Sequence, residues 1–154
     1  TGDDRIVLIE RAFDPGATRV DLPLGKRLPV YTGGVGRVLA AQRALSETEI
    51  RRHFESLRWE SPPADFAAYR ASIERAGRLG YAEDLGQLYV GVDVIGALIV
   101  DAQGQARYGL SSISLSGQMD ADARRAIGQD LARTGRRIGH SLFAAPDGAP
   151  PVPT

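Results

Sequence analysis

The stretch from Val92 to Ser116 constrains the fold more than any other part of the chain. Val92 to Val100 is largely apolar, without proline, and reads as a buried strand. Asp101-Ala102-Gln103-Gly104 carries the residues of a tight turn, and Ala106 to Ser116 returns as the second strand of a hairpin. Side chains alternate across a strand, so Ser111, Ile113 and Leu115 share one side while Ser112, Ser114 and Ser116 share the other. Small hydroxyls in such a row suit a strand covered by a helix or by a partner.

Elements that would cover this hairpin are legible on both sides of it. Ile6 to Ile9 is a β-branched run, Asp14-Pro15-Gly16 is a turn signal, and Arg19 to Leu22 alternates, so a first hairpin is expected there. After Gly33-Gly34-Val35-Gly36, the residues Val35, Val38, Ala41 and Leu45 recur at helical steps. Ser46-Glu47-Thr48-Glu49 is a capping box that starts a helix with Ile50, Phe54 and Leu57 on one face. Asp65 caps a longer helix with Phe66, Tyr69, Ile73 and Ala76 inward, and Gly80 ends it. Tyr81 to Tyr89 reads as a strand edge plus a loop. Asp120 caps a final helix with Ala123, Ile127, Leu131 and Ile138 on one stripe. Strands arrive as hairpins and helices cluster, which predicts an α+β domain built on an antiparallel sheet, without the alternation of a parallel nucleotide-binding sheet. Residues 1–143 form this domain, and the Pro/Gly/Ala-rich stretch 144–154 is expected to be a disordered tail.

Composition narrows the function classes. The 154 residues are 43% apolar and 25% charged with a formal net charge of zero, which supports a buried core and argues against a nucleic-acid binder or a disordered chain. There is no cysteine, which excludes disulfides and thiolate metal sites. No apolar run approaches a membrane span, and a cytoplasmic location is expected. The sequence opens on Thr1 and its single methionine is Met119, so a piece of a longer protein is expected.

Catalytic and metal patterns are missing. The two histidines, His53 and His140, lack the spacing of a metal site, so neither metal nor cofactor is expected. The serines at 111, 112, 114 and 116 lack a nucleophile-elbow sequence. Gly33-Gly34-Val35-Gly36 is not a complete phosphate or dinucleotide motif. Read plainly it is a glycine turn opening a helix; read functionally, its backbone amides hold an anionic or carbonyl group.

Leu28 to Ala40, with its Pro29-Val30-Tyr31-Thr32-Gly33-Gly34-Val35-Gly36-Arg37 core, resembles the "PLHATALGKALLA" segment of the effector-binding domain of IclR-family bacterial regulators, with Arg37 in place of lysine. Ala76 to Asp84 is similar to that family's "RGYAVDD" segment, and Val90 to Ala97 with the following hairpin resembles its "PGVRCVAAPVFD…ALSVSG" region. The order and spacing of these stretches, over roughly residues 4–143, carry the resemblance. The chain departs from the pattern at Asp84-Leu85-Gly86-Gln87, which lacks the usual acidic run, and at Asp93-Val94, where an arginine–cysteine pair is usual.

The resemblance implies a GAF-like fold, a small organic effector such as a short carboxylic acid or an aromatic compound, and assembly into a homodimer or tetramer. It also implies an N-terminal winged helix-turn-helix that binds DNA and that is not in this sequence. Carried over by position, Gly34 and Val35 match the glycine loop at the effector, with Val38 one turn on. Val20 and Leu22 lie where the pocket closes. Asp84 matches an acidic pocket position, and Val94, Ser111 and Ile113 match the later hairpin. Together they describe an apolar cavity with few polar anchors, the usual small-molecule site. If Asp84 faces the ligand it favours a hydroxyl or amino donor there, because two carboxylates repel. The plain alternative is ordinary core for the apolar residues and solvent exposure for Asp84 and Ser111. Both Gly34→Leu and Ser111→Ala are expected to abolish effector binding with the fold intact. Alternatives in function are a free-standing GAF-like sensor that regulates an enzyme, a small enzyme, and a pure oligomerisation module.

Overall fold

The computed structural model describes residues 5–143; the tail expected over 144–154 lies outside them. The elements follow the order β1 (Arg5–Val7), β2 (Arg27–Pro29), α1 (Gly33–Gln42), α2 (Glu47–Ser56), α3 (Phe66–Leu79), β3 (Tyr81–Leu85), β4 (Val92–Val100), β5 (Ala106–Leu115) and α4 (Ala121–Phe143). This is the α+β class expected from the sequence.

The first hairpin differs from expectation. β1 pairs antiparallel with Arg27–Pro29, whereas Arg19 to Leu22 forms no strand. Pro23 follows Leu22 directly and has no amide to donate to a ladder. A tight turn at Pro23–Lys26 instead brings the Leu8 amide to the Lys26 carbonyl at 3.0 Å, and the Gly25 amide to the Leu8 carbonyl at 2.8 Å. The intervening segment is tied by side chains: Arg11 pairs with Asp21 and donates to the Leu22 carbonyl at 2.6 Å.

The main sheet has the order β3-β4-β5, antiparallel throughout. Its register puts Asp84 beside Val94 and Val94 beside Ile113; one row on, Ala82 lies beside Gly96 and Gly96 beside Ser111. These six share a face because they are separated by even steps. The opposite face carries Tyr81, Ile95 and Ala97, all buried. Ile95 is fully buried, and burying such a side chain stabilises by about 1.5–3 kcal/mol.

α4 covers the face of Tyr81, Ile95 and Ala97. The expected stripe of Ala123, Ile127, Leu131 and Ile138 is only half-buried, and the fully buried line is Gly128, Ala132, Gly135 and Gly139. The reason is distance: a Cβ at Gly135 or Gly139 would stand 2.2 Å from the carbonyl oxygens of Leu98 or Val100. Small residues let the helix lie against the strand backbone, and the larger ones flank the contact.

α1 covers the other face by the same device. A Cβ at Gly34 would meet the Gly96 amide nitrogen at 2.3 Å, and one at Gly96 would meet the Val35 nitrogen at 2.2 Å. α2 and α3 pack on α1 through a core of Tyr31, Leu39, Ile50, Tyr69 and Ile73, fringed by Phe54, Trp59 and Phe66. Both helices start as the sequence predicts. Ser46 and Glu49 form the reciprocal capping box of α2, and Asp65 accepts from the Ala68 amide at 2.7 Å to cap α3. Gly80, with φ of 75°, closes α3 in the left-handed region.

Candidate ligand-binding face

α1 runs along β4, with Gly34 packed against Gly96 and Val38 against Leu98 and Ala82. The row Asp84, Val94, Ile113 therefore falls off the N-terminal end of the helix. Here the first-turn amides emerge next to half-buried Val94 and Ile113 and the exposed Ser111. Thr32, at the capping position, does not cap: its hydroxyl donates to the Pro29 carbonyl at 2.8 Å. Gly33 is buried, yet a methyl group there would meet no neighbouring atom within 4 Å. The end of α1 thus combines uncapped amides, a positive dipole end, an apolar strip and spare room.

Of the residues picked from sequence, Gly34, Val35, Asp84, Val94, Ser111 and Ile113 come together around this sheet face. Val38 lies a turn inward, packed in a core cluster with Ala76 and Ala82. Val20 and Leu22 are half-buried on the irregular segment between β1 and β2, and no strand pairing places them on the face. Gly34 and Val35 pack on Gly96 through their backbones, so the glycine there serves helix–sheet contact first. The expectation that Gly34→Leu leaves the fold intact is corrected on this ground: any side chain at Gly34 collides with strand backbone.

Asp84 is neither exposed nor free to meet a ligand with an open carboxylate. It is 1% exposed, accepts from the Gln87 and Leu88 amides at 2.9 and 3.2 Å, and pairs with Arg37 Nη1 at 3.2 Å. The repulsion foreseen between Asp84 and a ligand carboxylate is therefore relieved by the guanidinium. Arg37 is the residue that sequence reasoning passed over. Equally buried, it also donates to the carbonyls of Gly33 at 3.4 Å and Glu83 at 3.1 Å, to the Ser72 hydroxyl at 3.1 Å, and to the Gln87 side-chain oxygen. The rings of Trp59 and Tyr69 stand 6.0 and 5.7 Å from it. Burial pushes the Tyr69 hydroxyl up to about 12, and that hydroxyl donates to the Tyr31 carbonyl at 2.7 Å. The available signal was a charge beside the apolar stripe of α1, where burial requires a partner.

Two cavities open elsewhere. One, of about 340 Å³, lies between α3 and β3 and is lined in part by Arg37, Ser72, Arg75 and Gln87. The other, of about 490 Å³, lies among α1, α2 and α3 beside Ala41, Ile50 and Ile73. Among the described residues no cluster of three or more His, Cys, Asp or Glu side chains could hold a metal ion. No helix among them is long and apolar enough to cross a membrane.

An antiparallel sheet gripped between helices, with a small polar-and-apolar patch at a helix end, defines an α+β domain with a candidate small-molecule face. Residues 1–140 match the family model described as the C-terminal part of the bacterial transcriptional regulator IclR, and the chain belongs to that family. It is 28% identical over 138 residues to the HTH-type transcriptional repressor AllR of Escherichia coli K12, an alignment covering 88% of this chain and 51% of AllR. Its fold is similar to that of an IclR-family regulator from Alicyclobacillus acidocaldarius, with a TM-score of 0.71 at 24% identity, covering 89% of this chain and 56% of the other. It is also similar to the Agrobacterium tumefaciens repressor BlcR, with a TM-score of 0.67 at 23% identity, covering 80% and 51%. The chain spans about half the length of the curated relatives it matches. These relatives are transcriptional regulators, not enzymes.

Proposed function

We propose that this domain senses a small organic effector, a carboxylic or aromatic acid, at the N-terminal end of α1. The observation that carries the reading is the convergence there of the uncapped α1 turn with Val94, Ser111 and Ile113 on one sheet face. The first-turn amides and the Ser111 hydroxyl suit a carboxylate or carbonyl, and Val94 and Ile113 suit an apolar body. Val20 and Leu22 belong to the segment that closes over the ligand, and Val38 backs it. Asp84 acts through Arg37, holding the Gly33 end of the helix in place.

In the intact cytoplasmic regulator, effector binding shifts the balance between quaternary arrangements of a homo-oligomer and so changes DNA affinity through the N-terminal domain. Linkage requires DNA to change effector affinity by the same factor. Isothermal titration of the domain with short organic and aromatic acids tests the site. Ser111→Ala removes one hydrogen bond to a charged group, worth about 1.5–3 kcal/mol, and should weaken binding roughly 10- to 100-fold without lowering Tm. Unchanged affinity in that variant would move the site elsewhere.

A further inference from the structure

We propose that the cleft between α3 and the outer edge of β3 is a second binding site, for a small monocarboxylate with a flat apolar body. The cleft, of about 340 Å³, lies at the lower end of the range of small-molecule sites. It exists because α3 turns a second face outward. Tyr69 and Ile73 point to the core and buried Ala76 lies between core and cleft, whereas Ala68, Ala71, Ser72, Arg75 and Leu79 recur at helical steps along the cleft. The two alanines leave the space. Leu79 and Leu85 line the cleft at 43% and 44% exposure, apolar surface that no element of the described chain covers.

The polar groups favour one negative charge. Two guanidiniums, Arg37 and Arg75, and one carboxylate, Glu83, line it, and Arg37 and Glu83 each have a partner outside the cleft. Asp84 is taken by Arg37, and Glu83 lies 3.7 Å from Arg124 Nε. Among the described residues Arg75 has no carboxylate partner, so its charge is available at the cleft. Gln87 is oriented for the same task. Its side-chain oxygen accepts from Arg37, which fixes the amide and leaves both hydrogens of Nε2 to donate. A carboxylate bridging Arg75 and the Gln87 amide, with its body on Ala71, Leu79 and Leu85, satisfies these groups together. The buried Arg37 backs this cleft and also holds the Gly33 carbonyl at the end of α1, so the two faces share one wall.

The test is a heteronuclear NMR titration of the domain with benzoate, with benzamide as the neutral isostere, at constant ionic strength. Saturable shifts at the amides of Ser72, Arg75, Leu79 and Gln87 are expected, with benzamide at least tenfold weaker. Arg75→Glu, at an exposed position, should weaken benzoate at these amides at least tenfold with Tm unchanged, and Ser111→Ala should leave them unaffected. Shifts confined to the Val94, Ser111 and Ile113 amides would overturn the proposal. So would equal binding by Arg75→Glu, equal binding of benzamide, or no saturation up to the solubility limit of benzoate.

Discussion

Replacing Asp84 by Asn tests how α1 is locked to the sheet. The substitution keeps size and leaves an oxygen to accept from the Gln87 and Leu88 amides, but it removes the charge 3.2 Å from Arg37 Nη1. Both side chains are 1% exposed, so water cannot replace the lost countercharge. Breaking one partner of a buried pair costs about 3–5 kcal/mol, because the other charge stays buried without compensation. Part of that cost is softened here: the carbonyls of Gly33 and Glu83 and the side chains of Ser72 and Gln87 still accept from the guanidinium. The expected loss is therefore near the lower bound, about 3 kcal/mol, or roughly 6–12 °C in Tm for a domain of this size. Urea unfolding followed by circular dichroism measures it, with the exposed Arg125–Asp122 pair as control, since Asp122→Asn should change stability by less than about 1 kcal/mol. A loss below about 1 kcal/mol for Asp84→Asn would refute the reasoning, showing that the carbonyls alone neutralise Arg37.

Four further outcomes follow from the packing and the titrating groups. Gly96→Ala should cost at least about 3 kcal/mol or prevent folding, because its Cβ would stand 2.2 Å from the Val35 nitrogen. Gly77→Ala should be close to neutral in the same denaturation assay: its new methyl meets only the Ala41 Cβ at 3.3 Å, and it gains about 1 kcal/mol of helix propensity. Because the fold raises Tyr69 from 10.0 to about 12, the neutral phenol's contribution of roughly 2–3 kcal/mol is present below pH 10 and is lost as pH rises through about 12. Tyr69→Phe should flatten that alkaline limb in a pH series of Tm values. Hydrogen bonds from the Gln105 amide, and then from Arg107 and Gln103, hold Asp101 below the usual carboxylate range. Its stabilisation is present above the ordinary aspartate value and fades as pH falls through the lowered one, so Asp101→Asn should shrink the loss of stability on acidification.

Local chemistry made much of this fold legible in the sequence. The capping box at Ser46, the Asp65 and Gly80 caps, the turn at Asp101 and the alternation of β5 depend on neighbours within a few residues, so the order of elements and the shared side of Ser111 and Ile113 could be read directly. The likeness of three stretches to one family, in their order and spacing, added the class of protein. The β1 partner was misplaced because alternation at Arg19–Leu22 says nothing of which strand a ladder will choose. The inward stripe of α4 was misread because glycine carries no hydropathy signal, and only the 2.2 Å approach to the Leu98 and Val100 carbonyls reveals why glycine is required. Arg37 and Asp84 lie 47 positions apart, and no local pattern pairs one with the other. Tertiary packing alone removed water from both and made them partners, because a charge deprived of solvent is stable only where the fold supplies its opposite.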